Sequence, residues 1–117
     1  MDERILKWLY DIKMSIEEID SFFIAEEKDF FKYKNNVMLK RAVERNLEII
    51  GEAVNRIITR DTSFATKISN SKAIIGLRNQ VIHAYDNISN ENIWSILTNH
   101  LPKLKLEVAL LIKENEK

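Results

Sequence analysis

The chain has no cysteine, one proline and two glycines in 117 residues, and each scarcity closes off a class of protein. Without a thiol there is no cysteine nucleophile and no thiolate-ligated zinc site, and the absence fits a reducing compartment. So few breakers leave little room for tight hairpin turns, so the class is all-α. Charge of one sign is missing as well: Lys plus Arg and Asp plus Glu number 18 each, for a formal net charge of +0. A non-specific nucleic-acid binder ordinarily carries a basic excess. Tight, charge-driven RNA binding by a lone subunit is therefore disfavoured, and any RNA site must be a local patch or be completed by a second subunit. No run approaches the ~20 apolar residues that span a bilayer. The opening MDERILKWLY has none of the basic flank, apolar run and small-residue cleavage site of a signal peptide. The expectation is a soluble, cytoplasmic protein with no membrane partner.

What the chain does have is periodic apolar sequence. No repeat, low-complexity linker or boundary is visible, so residues 1–117 are read as one domain, large enough to bury roughly two-thirds of its unfolded surface. Ile5, Leu9, Ile12, Ile16, Ile19 and Phe23 recur at steps of four and three and predict a first helix over about residues 2–25. Glu26 to Asn36 lacks clear periodicity and reads as a connection with at most a short turn of helix. Val43, Leu47, Ile50, Val54 and Ile57 predict a second helix over about 36–59, flanked by Ala42, Ile49, Ala53 and Ile58. So wide an apolar arc suits contact with more than one neighbour. Asn46 falls at its edge, and Arg41, Arg45, Glu48, Glu52 and Arg56 form an opposite, charged stripe. After a polar connection over 61–69, Asn70 or Ser71 can cap a third helix carrying Ile74, Leu77 and Val81 inward and ending near 85–87, where turn formers follow. Ser89 or Asn90 can cap a fourth, with Ile93, Leu97, Leu101, Leu104, Val108 and Leu111 on its stripe and a kink or break near Pro102. The expected architecture is an up-and-down bundle of four or five helices.

Chemistry concentrates in the octapeptide RNQVIHAY, which sets Arg78, His83 and Tyr85 within little more than two helical turns of a chain holding only two histidines. On an ideal helix Arg78 and Tyr85 lie about 20° apart around the axis, whereas His83 lies about 140° from Arg78. The guanidinium and imidazole therefore meet only if the helix frays near His83, if the long Arg side chain wraps round, or if two copies converge across a symmetric interface. RNA cleavage without metal needs a base for the 2′-hydroxyl, an acid for the leaving 5′-oxygen and a cation on the phosphorane. Histidine suits the proton transfers because it titrates near neutral pH. The planar arginine fork matches phosphate oxygens. The same residues also have an ordinary structural reading: a helix-terminal His favouring the macrodipole, a carboxylate-paired Arg and a packed Tyr.

The segments AVERNLEIIGEAVNRI (Ala42 to Ile57) and GLRNQVIHAYDNISNENIW (Gly76 to Trp94) resemble the second-helix text, and the third helix with its following turn, of HepT-like proteins of the HEPN ribonuclease superfamily, and the helix order matches over nearly all of the chain. The resemblance implies a metal-independent endoribonuclease, the toxin of a toxin–antitoxin pair, acting on RNA as a homodimer with both motifs facing an interface cleft. It implies Arg78 and His83 as the catalytic pair, Asn79 as the supporting polar residue, and Tyr85 as the residue that a partner minimal nucleotidyltransferase adenylylates to neutralise the toxin. Gly51 and Glu52 match family text without an assigned chemical role, with close helix packing the ordinary reading of Gly51. A second reading is a non-catalytic module that docks the transferase; a third is a purely structural helical dimer, which leaves the polar octapeptide unexplained. His100 is expected on the solvated face or near the Pro102 disruption. No metal-ligand spacing or glycine-rich phosphate loop is readable, so no metal, cofactor or ATP site of the chain's own is expected, and DNA is not an expected partner.

Overall fold

Asp2 opens the first helix by accepting the Arg4 backbone N–H at 2.9 Å, the side-chain cap that satisfies a donor the helix start leaves unpaired. The computed structural model describes residues 2–23, 29–83 and 90–116, with the side chains of 80–83 outside the description. Helix α1 spans Glu3–Ser21 and buries Ile5, Leu9, Ile12, Ile16 and Ile19 on one face. It closes before the predicted end, because the Phe22 and Phe23 N–H groups turn back onto the Ile19 and Asp20 carbonyls and Phe23 packs edge-on against Trp94, 6.1 Å between ring centres. The segment read as a connection holds a short helix, α2 (Phe30–Lys34), capped by Asp29. Its Tyr33 is completely buried beside Trp94.

Helix α3 (Val37–Arg60) starts within a residue of the predicted bound, and the Asn36 side chain caps it by accepting the Leu39 N–H at 3.0 Å. All five stripe residues are buried, and the wide apolar arc has the expected cause: α3 lies between α1 and α5 (Ser71–His83) and packs on both. Asn46, placed at the edge of the arc, is buried and donates to the Ala42 carbonyl at 3.0 Å. The polar connection over 61–69 contains a one-turn helix, α4 (Phe64–Lys67), and sends Phe64 and Ile68 into the core. Asn70 then takes a left-handed φ of 59°, a conformation asparagine tolerates better than most residues, and α5 begins at Ser71. Ile74 and Leu77 face inward as predicted. The Val81 side chain, the predicted helix end at 85–87 and the possible Ser89 cap lie outside the described residues.

Helix α6 (Asn90–Ser95) runs through a π-helical turn, Ile96–His100, into α7 (Leu101–Asn115). This turn is the form the disruption near Pro102 takes. The Leu101 N–H reaches five residues back to the Ile96 carbonyl, and the widened turn falls directly before a residue that has no N–H and crowds the preceding turn. Every apolar residue predicted for this stripe, from Ile93 to Leu111, is buried. Two ion pairs set directions. Asp2 at the start of α1 meets Arg60 at the end of α3, and Asp20 late in α1 meets Lys105 early in α7 at 2.8 Å, so α1 runs antiparallel to both. The described residues form an all-α bundle with no strand, and no helix among them is long and apolar enough to cross a membrane.

Candidate functional site

Arg78 sits in the middle of α5, where that helix crosses α3 at Gly51. A Cβ built on Gly51 would lie 2.3 Å from the Arg78 Cβ, 3.0 Å from its Cγ and 3.2 Å from the Ile74 carbonyl oxygen. The first distance is far inside van der Waals contact, and it involves the fixed base of the arginine side chain, not its flexible end. The bare α-carbon of Gly51 is thus what lets the two helices close to this spacing. The packing role read for Gly51 is the one the geometry gives it, with Arg78 as its partner.

Closing the helices delivers the guanidinium to the next residue of α3. Arg78 Nη2 pairs with Glu52 Oε2, and Nη1 donates to Asn79 Oδ1 at 3.0 Å. Glu52 is shared, because its other oxygen accepts from Arg56 Nε at 2.9 Å. The Arg78 side chain is 25% exposed, and its Nε is buried without a hydrogen-bond partner among the described residues. The group is therefore gripped on one side and open on the other. Its open side faces a groove between α1 and α3 of about 360 Å³, within the ~300–1,000 Å³ of ligand clefts. Lys7, Arg45 and Arg56 bring further cations to the walls, Asp11, Glu48 and Glu52 bring carboxylates, and Trp8 brings an indole. Those carboxylates hold cations of the groove, Asp11 on Lys7 at 2.8 Å and Glu48 on Arg45 at 3.5 Å.

The sequence-predicted residues divide accordingly. Arg78 and Asn79 are brought together, directly by a hydrogen bond. His83 is the last residue of α5, whose backbone stays helical from Arg78 onward. The two positions therefore keep their separation of about 140° around the axis, and the helix does not fray between them. The His83 side chain and all of Tyr85 lie outside the described residues. His100 ends the π-turn, half-buried, with Nδ1 enclosed and unpartnered among the described residues, on a separate cavity beside Gly76 and Leu77. Among the described residues no group of three or more His, Asp or Glu is placed to hold a metal ion. Two contributors were not singled out from the sequence in these roles. Glu52 was one member of a charged stripe, and Trp8 carried no motif; only the crossing of α1 and α5 over α3 reveals either.

A small antiparallel helical bundle that presents one gripped guanidinium over a polar groove, with a histidine five positions further along the same helix, defines a class of protein equipped to hold a phosphate ester. A family model described as "Ribonuclease HepT-like" matches residues 12–111. Two proteins of Methanocaldococcus jannaschii, each named "Putative RNase", are similar: one is 40% identical over 114 residues, covering 95% of this chain and 100% of its own length. The other is 32% identical over 117 residues, covering 99% and 98%. A protein of the same printed name from Caldanaerobacter subterraneus subsp. tengcongensis is 32% identical over 89 residues, 76% of each chain. No solved structure matches. The chain belongs to the HepT-like ribonuclease family.

Proposed function

We propose that this protein is a cytoplasmic toxin endoribonuclease that cleaves RNA without a metal ion, as a homodimer, using Arg78 and His83. The observation that carries the reading is the seating of Arg78: Gly51 admits it, Glu52 and Asn79 orient it, and its free side opens on a groove. A planar fork held in this way suits two non-bridging phosphate oxygens and the charge that accumulates on them. His83 supplies proton transfer. A base removes the 2′-hydroxyl proton, the 2′-oxygen attacks phosphorus, and the 5′-oxygen leaves with a proton, giving a 2′,3′-cyclic phosphate and a free 5′-hydroxyl. Because α5 keeps positions 78 and 83 on different faces, the arginine of one subunit works with the histidine of the other, which a two-fold axis along α5 allows. Tyr85 is the control point. A partner minimal nucleotidyltransferase transfers an adenylyl group to its hydroxyl, and the added phosphate competes for Arg78.

Cleavage of single-stranded RNA by purified protein in EDTA tests this. General acid–base catalysis contributes about 10²–10⁴ in rate, so His83→Ala should lose activity by that order while keeping its helical signal. Arg78→Lys should fail too, since a point charge does not replace the fork. Tyr85→Phe should cleave normally and escape inactivation by the transferase and ATP. Undiminished cleavage by His83→Ala sinks the mechanism. A protein that binds the transferase but never cleaves RNA would be a docking subunit.

A further inference from the structure

The groove beside Arg78 does not end at the guanidinium. A second cavity of about 460 Å³, lined by Asn55, Thr59 and Arg60, adjoins it, and the two share Trp8 and Arg56 as common walls. The indole of Trp8 thus stands between them, half-buried on α1. The chain's other tryptophan is differently placed: Trp94 is enclosed by Phe23, Phe30 and Tyr33, with ring centres 5.4–6.1 Å away. No ring among the described residues packs on Trp8. It is an aromatic surface flanked by guanidiniums, on a track leading to the proposed reactive phosphate.

We infer that this double groove binds single-stranded RNA next to the scissile phosphate, with one unpaired base stacked on Trp8 and the adjoining backbone carried by Arg56 and Arg60. The inference deepens the ribonuclease reading and rests on it for the direction of the strand. Charge selects a single strand. Among the residues of the first cavity, four cations face three carboxylates, so the surface cannot hold a duplex by phosphate attraction alone, the term that dominates duplex affinity. Stacking supplies what charge lacks, and every base has a face to offer. The carboxylates add a use for unpaired bases: Asp11 and Glu48 can accept from the N–H groups of a Watson–Crick edge, which only a splayed-out base presents. Arginines alongside carboxylates around an indole fit a base with its phosphate better than a phosphate alone.

The test uses a fluorescein-labelled, uniformly 2′-O-methyl single strand of about 12 nucleotides, which binds without being cleaved. By anisotropy, Trp8→Leu should weaken binding about 5- to 150-fold, the range expected for one lost base stack, while Trp8→Phe retains most of the affinity. The matched duplex should bind weakly and be indifferent to either change. The unlabelled strand should quench the tryptophan emission of the wild-type protein and leave that of Trp8→Leu, which reports Trp94, unaltered. The quenching arm holds even if a variant folds poorly: no quenching at a saturating strand concentration overturns the inference, as does unchanged affinity in folded Trp8→Leu. Loss of a protein partner from Trp8→Leu with strand affinity intact would assign the groove to docking and also overturn it. Because nothing is cleaved here, a Trp8-dependent complex with no ribonuclease activity would leave the platform standing and reject the catalytic reading. Full cleavage with no Trp8 dependence would do the reverse.

Discussion

At the scale of single residues, the site depends on an atom that is missing. Gly51 lies inside a 24-residue helix, where alanine ordinarily stabilises by about 0.5–1 kcal/mol relative to glycine. Against that gain stands a methyl group 2.3 Å from the Arg78 Cβ, and overpacking a tight contact costs about 1–3 kcal/mol. The clash is with the root of a side chain on a packed helix, so it cannot be relieved by a rotamer change and the second effect wins. Gly51→Ala should lower stability by about 1–2 kcal/mol in denaturant titration. It should also reduce RNA cleavage by more than the loss of folded protein explains, because separating α5 from α3 withdraws Arg78 from Glu52. Equal or greater stability, with full activity, would show that the helices do not cross this closely. Glu52 is the matching polar determinant: it grips Arg78 and Arg56 together, so its carboxylate fixes where the guanidinium sits.

At the scale of elements, the bundle is tied at its corners by charge and filled between them by branched aliphatic side chains. The Asp2 carboxyl joins the first turn of α1 to the last residue of α3. Its hydrogen bond with Arg60 holds it below the ordinary 3.8, helped by the Arg4 N–H of its capping role. The folded chain therefore binds this proton less readily than the unfolded chain does. The stabilisation is complete above the ordinary value and disappears as pH falls through the lowered one. Asp61, next to Arg60 in sequence, is lowered by its own bonds from Ser63 and behaves in the same direction. Thermal midpoints measured from about pH 6 down to about pH 2 should show Asp2→Asn less stable than wild type at the upper end, with the two converging in acid. A constant offset across the range would mean that the charge is irrelevant and only the cap geometry matters. The effect is expected to be small, since both partners are substantially solvated and exposed pairs contribute little.

At the scale of the whole molecule, positions 78 and 83 lie on different faces of one helix, so the proposed pairing of Arg78 with His83 makes activity depend on assembly. If the arginine and histidine of a working site come from different chains, two dead proteins should repair one another. A mixed dimer of Arg78→Ala and His83→Ala contains one intact pair. An equimolar mixture that exchanges subunits should therefore recover about a quarter of wild-type activity, half the dimers being mixed and each having one of two sites. No recovery, with mixed dimers demonstrated by mass, would place both groups of a site on the same chain. Sedimentation at micromolar concentration should show the dimer in wild type and both variants.

How much of this could be read beforehand follows from the range of the forces involved. Helix positions, the Asn36 and Asp2 ends and nearly every buried residue of the four long stripes were legible, because spacing of three and four along the chain already defines a buried face. The motif text from Gly76 to Trp94 was legible for the same reason: it is contiguous, and it pointed to the family that the comparison found. Phe64 and Ile68 were not, since a single apolar residue in a polar connection shows no period until a neighbouring helix offers it a pocket. The π-turn was foreseen only as a disturbance near Pro102; how a helix absorbs a proline depends on what its two halves must pack against. The seating of Arg78 on Gly51 between Glu52 and Asn79, and the placing of Trp8 between two cavities, were decided by tertiary structure alone. The contacts of Arg78 with Gly51 and Glu52 join residues 26 or more positions apart in sequence, the groove at Trp8 joins α1 to α3, and both depend on the rotation and offset of one helix against another. The packing of whole apolar faces sets both quantities, and no local pattern carries them.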